Sequence, residues 1–133
     1  MDRRSLFDQQ VNIEPNKITI TSLDTQFIEK AITIVEDNFG NANFSVDELS
    51  EHLSISRGYL YKKLTKITGK TPIEFIRIMR IKRAQQLLKE SQMSISEIAY
   101  LLGYNSPKIF TKHFKQEYKM TPSEYIHRIT HQK

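Results

Sequence analysis

The sequence predicts an all-α fold of about seven helices, and two observations carry that prediction. After residue 43, Ser/Thr-x-x-Glu, the signature of a capped helix start, occurs four times, and each copy opens a run with apolar residues at helical spacing. The segment KTPIEFI also recurs fifty positions later as MTPSEYI, so the helix starts at Thr71 and Thr121 are two copies within an internal repeat. The four capping pairs are Ser45–Glu48, Thr71–Glu74, Ser94–Glu97 and Thr121–Glu124.

The composition is that of a globular protein, and it narrows the function classes. The chain has 133 residues, is 38% hydrophobic and 26% charged, and contains no cysteine. Without cysteine, neither a disulfide framework nor a thiolate metal site can form, which fits a reducing compartment. No apolar run reaches the length of a membrane span and the start of the chain lacks a secretory signal, so we expect a cytoplasmic location.

Charge is distributed unevenly between the two parts of the chain. Residues 1–56 hold 4 Lys/Arg against 10 Asp/Glu, a net charge of −6, whereas residues 57–133 hold 16 against 5, a net charge of +11. Between Arg57 and Lys89 there are ten basic residues and one acidic residue. Such polarity indicates a polyanionic partner for the second part, although a solvated basic surface would also produce it.

The helical patterns begin only after a polar segment. We predict a linker or arm, partly disordered, over residues 1–23, where Pro15 and many polar residues precede any helical periodicity. Asp24 is the candidate N-cap of the first helix, because the run FIEKAITIVEDNF that follows it has apolar residues at helical spacing. The predicted domain therefore covers residues 24–133.

The repeat has the organisation of a helix-turn-helix unit. Residues 45–76 align with residues 94–126 at an offset of 49, which becomes 50 after the turn. Each copy has a short helix, a turn of about three residues, a longer basic helix and the capped start of a third helix. We predict helix-turn-helix units at about 45–68 and 94–118, a linker helix at about 72–90 and a closing helix at about 122–130.

Two units favour DNA binding over a protein-binding solenoid. A solenoid needs about three repeats to bury a continuous core, and here the positive charge lies on the second helix of each unit, where a DNA-reading helix carries it. A linker helix of 19 residues would span about 28 Å, close to the ~34 Å between successive major-groove faces of B-DNA. We therefore predict sequence-specific binding of double-stranded DNA in successive major-groove segments. The alternative is a helical protein-interaction module or a non-specific nucleic-acid-binding module.

Helical spacing also predicts which side chains face inward. In the recognition helices these are Leu60, Leu64 and Ile67, and Phe110, Phe114 and Tyr118. In the linker helix they are Phe75, Ile76, Met79, Ala84, Leu87 and Leu88, whereas Arg77, Arg80, Lys82 and Arg83 are expected to face solvent or phosphate. Ser56 and Asn105 are the predicted caps of the two recognition helices.

The stretch from about Phe44 to Arg128 resembles the DNA-binding domain of the AraC/XylS family of bacterial transcription regulators. The resemblance lies in SISRGYLYKKL, in the pattern R-x-x-x-A-x-x-L-L of the linker, in SISEIAYLLGYNSPKIFTKHFK and in MTPSEYI. The stretch ITSLDTQFIEKAITIVEDN is similar to the C-terminal segment of hybrid two-component sensors. That similarity implies upstream receiver and sensor domains, with a histidine kinase that a full-length hybrid protein could carry and membrane anchoring of that protein left open. The resemblance to AraC/XylS regulators further implies transcription regulation, most often activation, through RNA polymerase.

The resemblance and the helical faces together select the candidate contact residues. The resemblance places base contacts at Gly58, Tyr61, Lys62, Lys108, Thr111 and Lys112. Helix starts and outer faces suggest phosphate contacts at Ser56, Arg57, Lys66, Asn105, Ser106 and Lys115. The chain departs from the family pattern at Gly58, which is usually a larger residue, at Lys119, which is usually glycine, and at Gly103-Tyr104, which is usually Gly-Phe.

Enzyme chemistry finds little support in the sequence. The GKT at residues 69–71 lacks the upstream glycine of a phosphate-binding loop. His127 and His131 have the spacing of metal ligands but no acidic or cysteine partner, and His52 and His113 are interpreted as ordinary helix residues. We therefore predict no catalytic residue, no metal, no cofactor and no small-molecule ligand for this segment.

Overall fold

The computed structural model describes residues 21–131, and within that range the chain forms seven helices and no strand. The all-α prediction is thereby confirmed. The predicted arm lies, up to residue 20, outside the described residues. The helices are α1 (Ser22–Asp37), α2 (Val46–His52), α3 (Arg57–Thr68), α4 (Pro72–Glu90), α5 (Ile95–Leu101), α6 (Pro107–Tyr118) and α7 (Pro122–Thr130).

Capping explains where α4, α5 and α7 begin. At Thr71 the hydroxyl oxygen accepts from the Glu74 amide (3.3 Å) while the Glu74 carboxylate accepts from the Thr71 amide (3.0 Å). Ser94 with Glu97 and Thr121 with Glu124 form the same reciprocal pair. At Ser45 the hydroxyl half of the pair is present, accepting from the Glu48 amide at 3.3 Å. At each of these predicted helix starts, the cap side chain therefore satisfies one of the orphan amides.

The first helix begins earlier than predicted. Thr21 is the N-cap, and Asp24 is the acidic residue three positions into the helix, so the assignment of Asp24 as the cap was wrong. The Thr21 hydroxyl accepts from the Asp24 amide (3.1 Å), and the Asp24 carboxylate accepts from the Thr21 amide (3.3 Å). Aspartate closes this capping box in place of the glutamate of the Ser/Thr-x-x-Glu pattern. The boundary predicted after residue 23 consequently falls inside the first turn of α1.

The described residues divide into two compact units. Unit 1 comprises residues 21–38 and 44–79, and unit 2 comprises residues 39–43 and 80–131. The core of unit 1 is aliphatic apart from Phe44 and Phe75, and α1, α2, α3 and the first part of α4 all contribute to it. Its most deeply buried side chains are Val35, Leu49, Leu60, Leu64, Ile67 and Phe75.

The core of unit 2 is richer in aromatic side chains. Phe110 and Phe114 of α6 are fully buried, and Phe114 makes an edge contact with Tyr125 of α7 at 5.8 Å between ring centroids. Tyr125 also accepts a hydrogen bond at its hydroxyl from the Gln85 amide group of α4 (2.6 Å). These contacts hold α6 by its inner face, so its outer face is set by the same packing.

Arg80 and Lys82 were predicted to face solvent or phosphate, but both are partly buried and contact other residues of unit 2. The Arg80 guanidinium donates from Nη2 to the Asn41 carbonyl (2.9 Å), and its burial lowers the Arg80 pKa. The Lys82 ammonium lies 3.7 Å from the Glu117 carboxylate and over the Tyr118 ring, 4.6 Å from its centroid. Both cations serve packing within unit 2, because side chains that periodicity alone did not reveal lie beside them.

Candidate nucleic-acid interface

Helix α3 turns one face into unit 1 and the other outward. Its N-cap is Ser56, as predicted, whose hydroxyl oxygen accepts a hydrogen bond from the Tyr59 amide (3.1 Å). The predicted inward residues Leu60, Leu64 and Ile67 are at most 1% exposed. Their burial fixes the rotation of the helix and leaves the candidate base contacts exposed. These are Gly58, Tyr61 and Lys62.

Helix α6 repeats this arrangement in unit 2. Phe110 and Phe114 are fully buried and Tyr118 is half-buried, where burial raises the pKa of its hydroxyl. The opposite face carries the second set of candidate base contacts. Lys108 and Lys112 are exposed and Thr111 is half-buried. Two ammonium donors and a hydroxyl therefore occupy the outer face of this helix, which are groups that can read base edges.

Asn105 is not the cap of α6. The N-cap is Ser106, and its side chain makes no capping hydrogen bond. Pro107 occupies the first helical position, which makes the residue before it, Ser106, the N-cap in an extended conformation (φ −141°, ψ 121°). Asn105 therefore lies one residue before the helix, exposed, and its candidate role at phosphate stays a prediction.

The candidate phosphate contacts are accessible but differ in their surroundings. Lys66 of α3 and Lys115 of α6 are exposed. Arg57 is also exposed, yet its Nε already lies 3.0 Å from the Asp47 carboxylate of α2. A surface pair of this kind is worth little, so a phosphate can replace it. Ser56 is exposed, while Ser106 is half-buried beside Pro107.

Lys63 is the basic residue of α3 that the sequence reasoning missed. Its ammonium lies 3.5 Å from the Asp24 carboxylate and 5.1 Å from the centroid of the Phe27 ring, both on α1. Burial acts to raise the pKa of Asp24, but the hydrogen bonds from Thr21 and the Lys63 ammonium hold it below its ordinary value. The one sequence signal for this contact was Asp24, an acidic residue at the start of α1 that could pair with a lysine.

Two other kinds of site find no support in the described part of the chain. Residues 21–131 contain no group of three or more His, Asp or Glu side chains that could hold a metal ion. The His127 and His131 rings lie 4.0 Å apart at the end of α7, with Nδ1 of His131 2.8 Å from the His127 carbonyl. None of the helices over the same residues combines the length and the apolar character that a membrane crossing needs.

The comparisons with known proteins agree with the two-unit architecture. The profile of a helix-turn-helix domain family matches residues 49–128. The chain belongs to this family. It is of the AraC type, which confirms the resemblance found in the sequence. It is 42% identical over 132 residues to histidine kinase P4 of Formosa agariphila, which covers 99% of this chain and 10% of that protein.

Two further similarities concern regulators. The lactose operon transcription activator of Staphylococcus xylosus is 30% identical over 103 residues, which are 77% of this chain and 37% of the activator. The crystal structure of the C-terminal domain of the two-component response regulator yesN from Fusobacterium nucleatum has a TM-score of 0.69 at 29% identity, covering 76% of this chain and 98% of that one. The chain thus spans about a tenth and about a third of the lengths of these two curated relatives.

The departures from the AraC-type pattern have structural explanations in two places. Lys119 adopts the left-handed conformation in which the family usually has glycine, with φ 64°, and its amide donates to the Lys115 carbonyl (2.8 Å). Tyr104 stands where the family usually has phenylalanine, and the added hydroxyl lies 2.9 Å from Nδ1 of His113. His113 therefore does more than an ordinary helix residue, because it ties α6 to the turn before it.

Proposed function

We propose that this AraC-type domain binds double-stranded DNA at specific sequences and acts as the output domain of a transcription regulator. One observation carries the proposal. In each of two helix-turn-helix units, the second helix buries an apolar stripe and exposes a set of lysine, tyrosine or threonine side chains on its other face. Membership of the helix-turn-helix family supports the same function.

The proposal assigns base reading to the exposed faces of α3 and α6. A lysine ammonium can donate to O6 and N7 of guanine, and a threonine can offer its hydroxyl or its methyl group to a base edge. Each unit reads its own segment of major groove, so one chain contacts two half-sites. The proposed base contacts are Gly58, Tyr61 and Lys62 in unit 1, and Lys108, Thr111 and Lys112 in unit 2.

Phosphate contacts provide most of the affinity in this proposal. The net charge of +11 over residues 57–133 favours the polyanion at long range, and exposed cations on the recognition helices bind it at short range. The proposed contacts are Ser56, Arg57, Lys66, Asn105, Ser106 and Lys115. Arg57 has to exchange Asp47 for a phosphate, so we expect it to contribute less than Lys115.

We also propose that the full-length protein joins this domain to upstream two-component domains and activates transcription through RNA polymerase. The match to 10% of a histidine kinase supports the first part, and the similarity to a transcription activator supports the second. The domain itself carries no catalysis in this proposal. In this proposal the domain acts in the bacterial cytoplasm, where its DNA target lies.

Binding to mixed genomic DNA fragments, measured across a range of salt concentrations and followed by sequencing of the retained fragments, tests the proposal. We expect the logarithm of the affinity to fall linearly with the logarithm of the salt concentration. Lys115→Ala should lower that slope by about one, whereas Lys30→Ala, on the exposed face of α1, should leave it unchanged. Retained fragments without a shared sequence would indicate a non-specific module, and no salt-dependent binding would favour a protein-interaction module.

A further inference from the structure

A cleft of about 450 Å³ opens beside the recognition helix of unit 1. It lies among the start of α2, the first turns of α3 and the start of α4, and two of the candidate base contacts, Gly58 and Tyr61, form part of its wall. Val46, Pro72 and Ile73 contribute apolar wall. The cleft is therefore continuous with the proposed base-reading face and is apolar where the rest of that face is basic.

Gly58 keeps this cleft open. Neither conformation nor crowding requires a glycine there, because Gly58 lies in α3 without a positive φ and a Cβ atom added to it would meet nothing within 4 Å. Glycine also disfavours a helix relative to almost any other residue. Its one evident effect is to leave backbone, rather than a side chain, at the edge of the cleft, where another molecule can approach closely.

Ile73 is the unexplained side chain of this surface. It follows Pro72 at the start of α4 and is 64% exposed, and Tyr61 across the cleft is 52% exposed. Two polar side chains of the wall, those of Arg57 and Thr71, already have partners within the protein. Arg57 pairs with Asp47 at 3.0 Å, and the Thr71 hydroxyl oxygen accepts from the Glu74 amide at 3.3 Å. The wall thus offers carbon surface to whatever enters.

The major groove of DNA presents one carbon group on its base edges, the C5-methyl of thymine. We propose that the Gly58 cleft is a thymine-reading subsite, in which the methyl group packs against Ile73 and the ring of Tyr61. This inference rests on the proposed function. It makes Ile73, which lies outside the recognition helix, a specificity-determining residue of the domain.

Unit 2 supplies an internal contrast. The repeat aligns Gly58 with Lys108 and Ile73 with Ser123, both of which are exposed. A lysine and a serine offer hydrogen-bond donors in place of an opening and an apolar wall. We therefore expect unit 2 to have no counterpart of the apolar contact at Ile73, and to read its segment mainly by donor and acceptor pattern.

The test uses the sequence selected by the wild-type chain and replaces each thymine, one at a time, with deoxyuridine, which lacks only the methyl group. We expect one thymine in the segment read by unit 1 to lose about four-fold in affinity when its methyl group is removed, the effect of one buried methyl. Ile73→Ser should abolish that loss, and Leu23→Ser, an equally exposed leucine on α1, should preserve it.

Three outcomes overturn the inference. One is that no thymine responds to loss of its methyl group, and a second is that the responses are the same in the wild type and in Ile73→Ser. The third is that the wild type selects no sequence at all, in which case the proposed function fails before any base has been replaced. Because Ile73 is exposed, its substitution should leave the helical circular dichroism and the unfolding temperature near those of the wild type.

Discussion

The two helix-turn-helix units have the same two left-handed turns, but glycine occupies a different one of the two turns in each unit. In unit 1 the turn between the helices places Ser54 at φ 58°, and the turn after the recognition helix places Gly69 at φ 74°. In unit 2 the corresponding residues are Gly103 at φ 85° and Lys119 at φ 64°. Each unit therefore has one glycine and one residue with a side chain in the left-handed region, but in exchanged order.

The surroundings of each turn account for part of this exchange. A Cβ atom on Gly103 would lie 2.7 Å from the Phe39 carbonyl oxygen and 3.3 Å from Nη2 of Arg80, so no side chain fits there. A Cβ atom on Gly69 would meet nothing within 4 Å. Glycine at residue 69 thus serves conformation alone, whereas glycine at residue 103 serves both conformation and close packing. Lysine at residue 119 is tolerated because that turn asks only for conformation.

The largest effect should come from Gly103→Ala. The added methyl group must displace the Phe39 carbonyl and also adopt a positive φ, so we expect a loss of about 3 kcal/mol in the free energy of unfolding. Gly69→Ala is the matched control, with the same strain and no clash, and should lose about 1 kcal/mol. Urea unfolding followed by circular dichroism measures both. Equal losses would show that the close approach at Gly103 has no energetic weight.

The next effect concerns the recognition faces rather than the turns. Lys112→Ala and Tyr61→Ala each remove a proposed base contact, one from each unit, and should each weaken binding to the selected site by about 1–3 kcal/mol. Random DNA should lose much less, because base contacts carry sequence information and phosphate contacts do not. Fluorescence anisotropy with both duplexes measures the difference, with Lys30→Ala as the control. Equal losses on the two duplexes would remove the base-reading role.

A smaller effect is expected where a side chain strains a turn. Lys119→Gly should relieve about 1–2 kcal/mol of left-handed strain but add freedom to the unfolded chain, leaving a net gain of about 0.5–1 kcal/mol. Ser54→Gly is the counterpart in unit 1 and should gain a similar amount. Urea midpoints of the two variants report the gain. A loss at Lys119 would mean that its side chain stabilises unit 2 through contacts beyond the turn.

The smallest effect should be a change in pH dependence at the start of α4. The hydrogen bond from the Thr71 amide outweighs burial and holds the pKa of Glu74 below its ordinary 4.5. A carboxylate whose folded pKa is lowered contributes stability that is present above pH 4.5 and is lost as the pH falls through the folded pKa. Glu74→Gln should therefore flatten the fall in stability below pH 4.5. Thermal unfolding between neutral pH and pH 3 measures this, and a slope unchanged from that of the wild type would contradict the prediction.

Local patterns predicted most of the fold and the outward faces. Helix starts such as Thr71 and stripes such as Leu60, Leu64 and Ile67 depend on residues within one or two turns, so the sequence displays them directly. The cap of α6 was misplaced because asparagine and serine rank about equally as caps, and the proline at position 107, which starts the helix, was not used to choose between them.

Contacts between distant residues were beyond these patterns. Arg80 meets Asn41 from 39 positions away, and Lys63 meets Asp24 on another helix. Both side chains have the sequence appearance of solvated cations, because no local period marks a basic residue that packs inward. The apolar wall at Ile73 was also missed, because Ile73 borders the recognition face only after α4 has folded beside α3.

The central claim is that the chain distinguishes one DNA sequence from others. The most direct measurement is the dissociation constant for the selected duplex and for a scrambled duplex of the same composition, determined by anisotropy at physiological salt. We predict that the selected duplex binds at least about 10³-fold more tightly, the lower end of the range for specific regulators. Equal dissociation constants for the two duplexes would contradict the account.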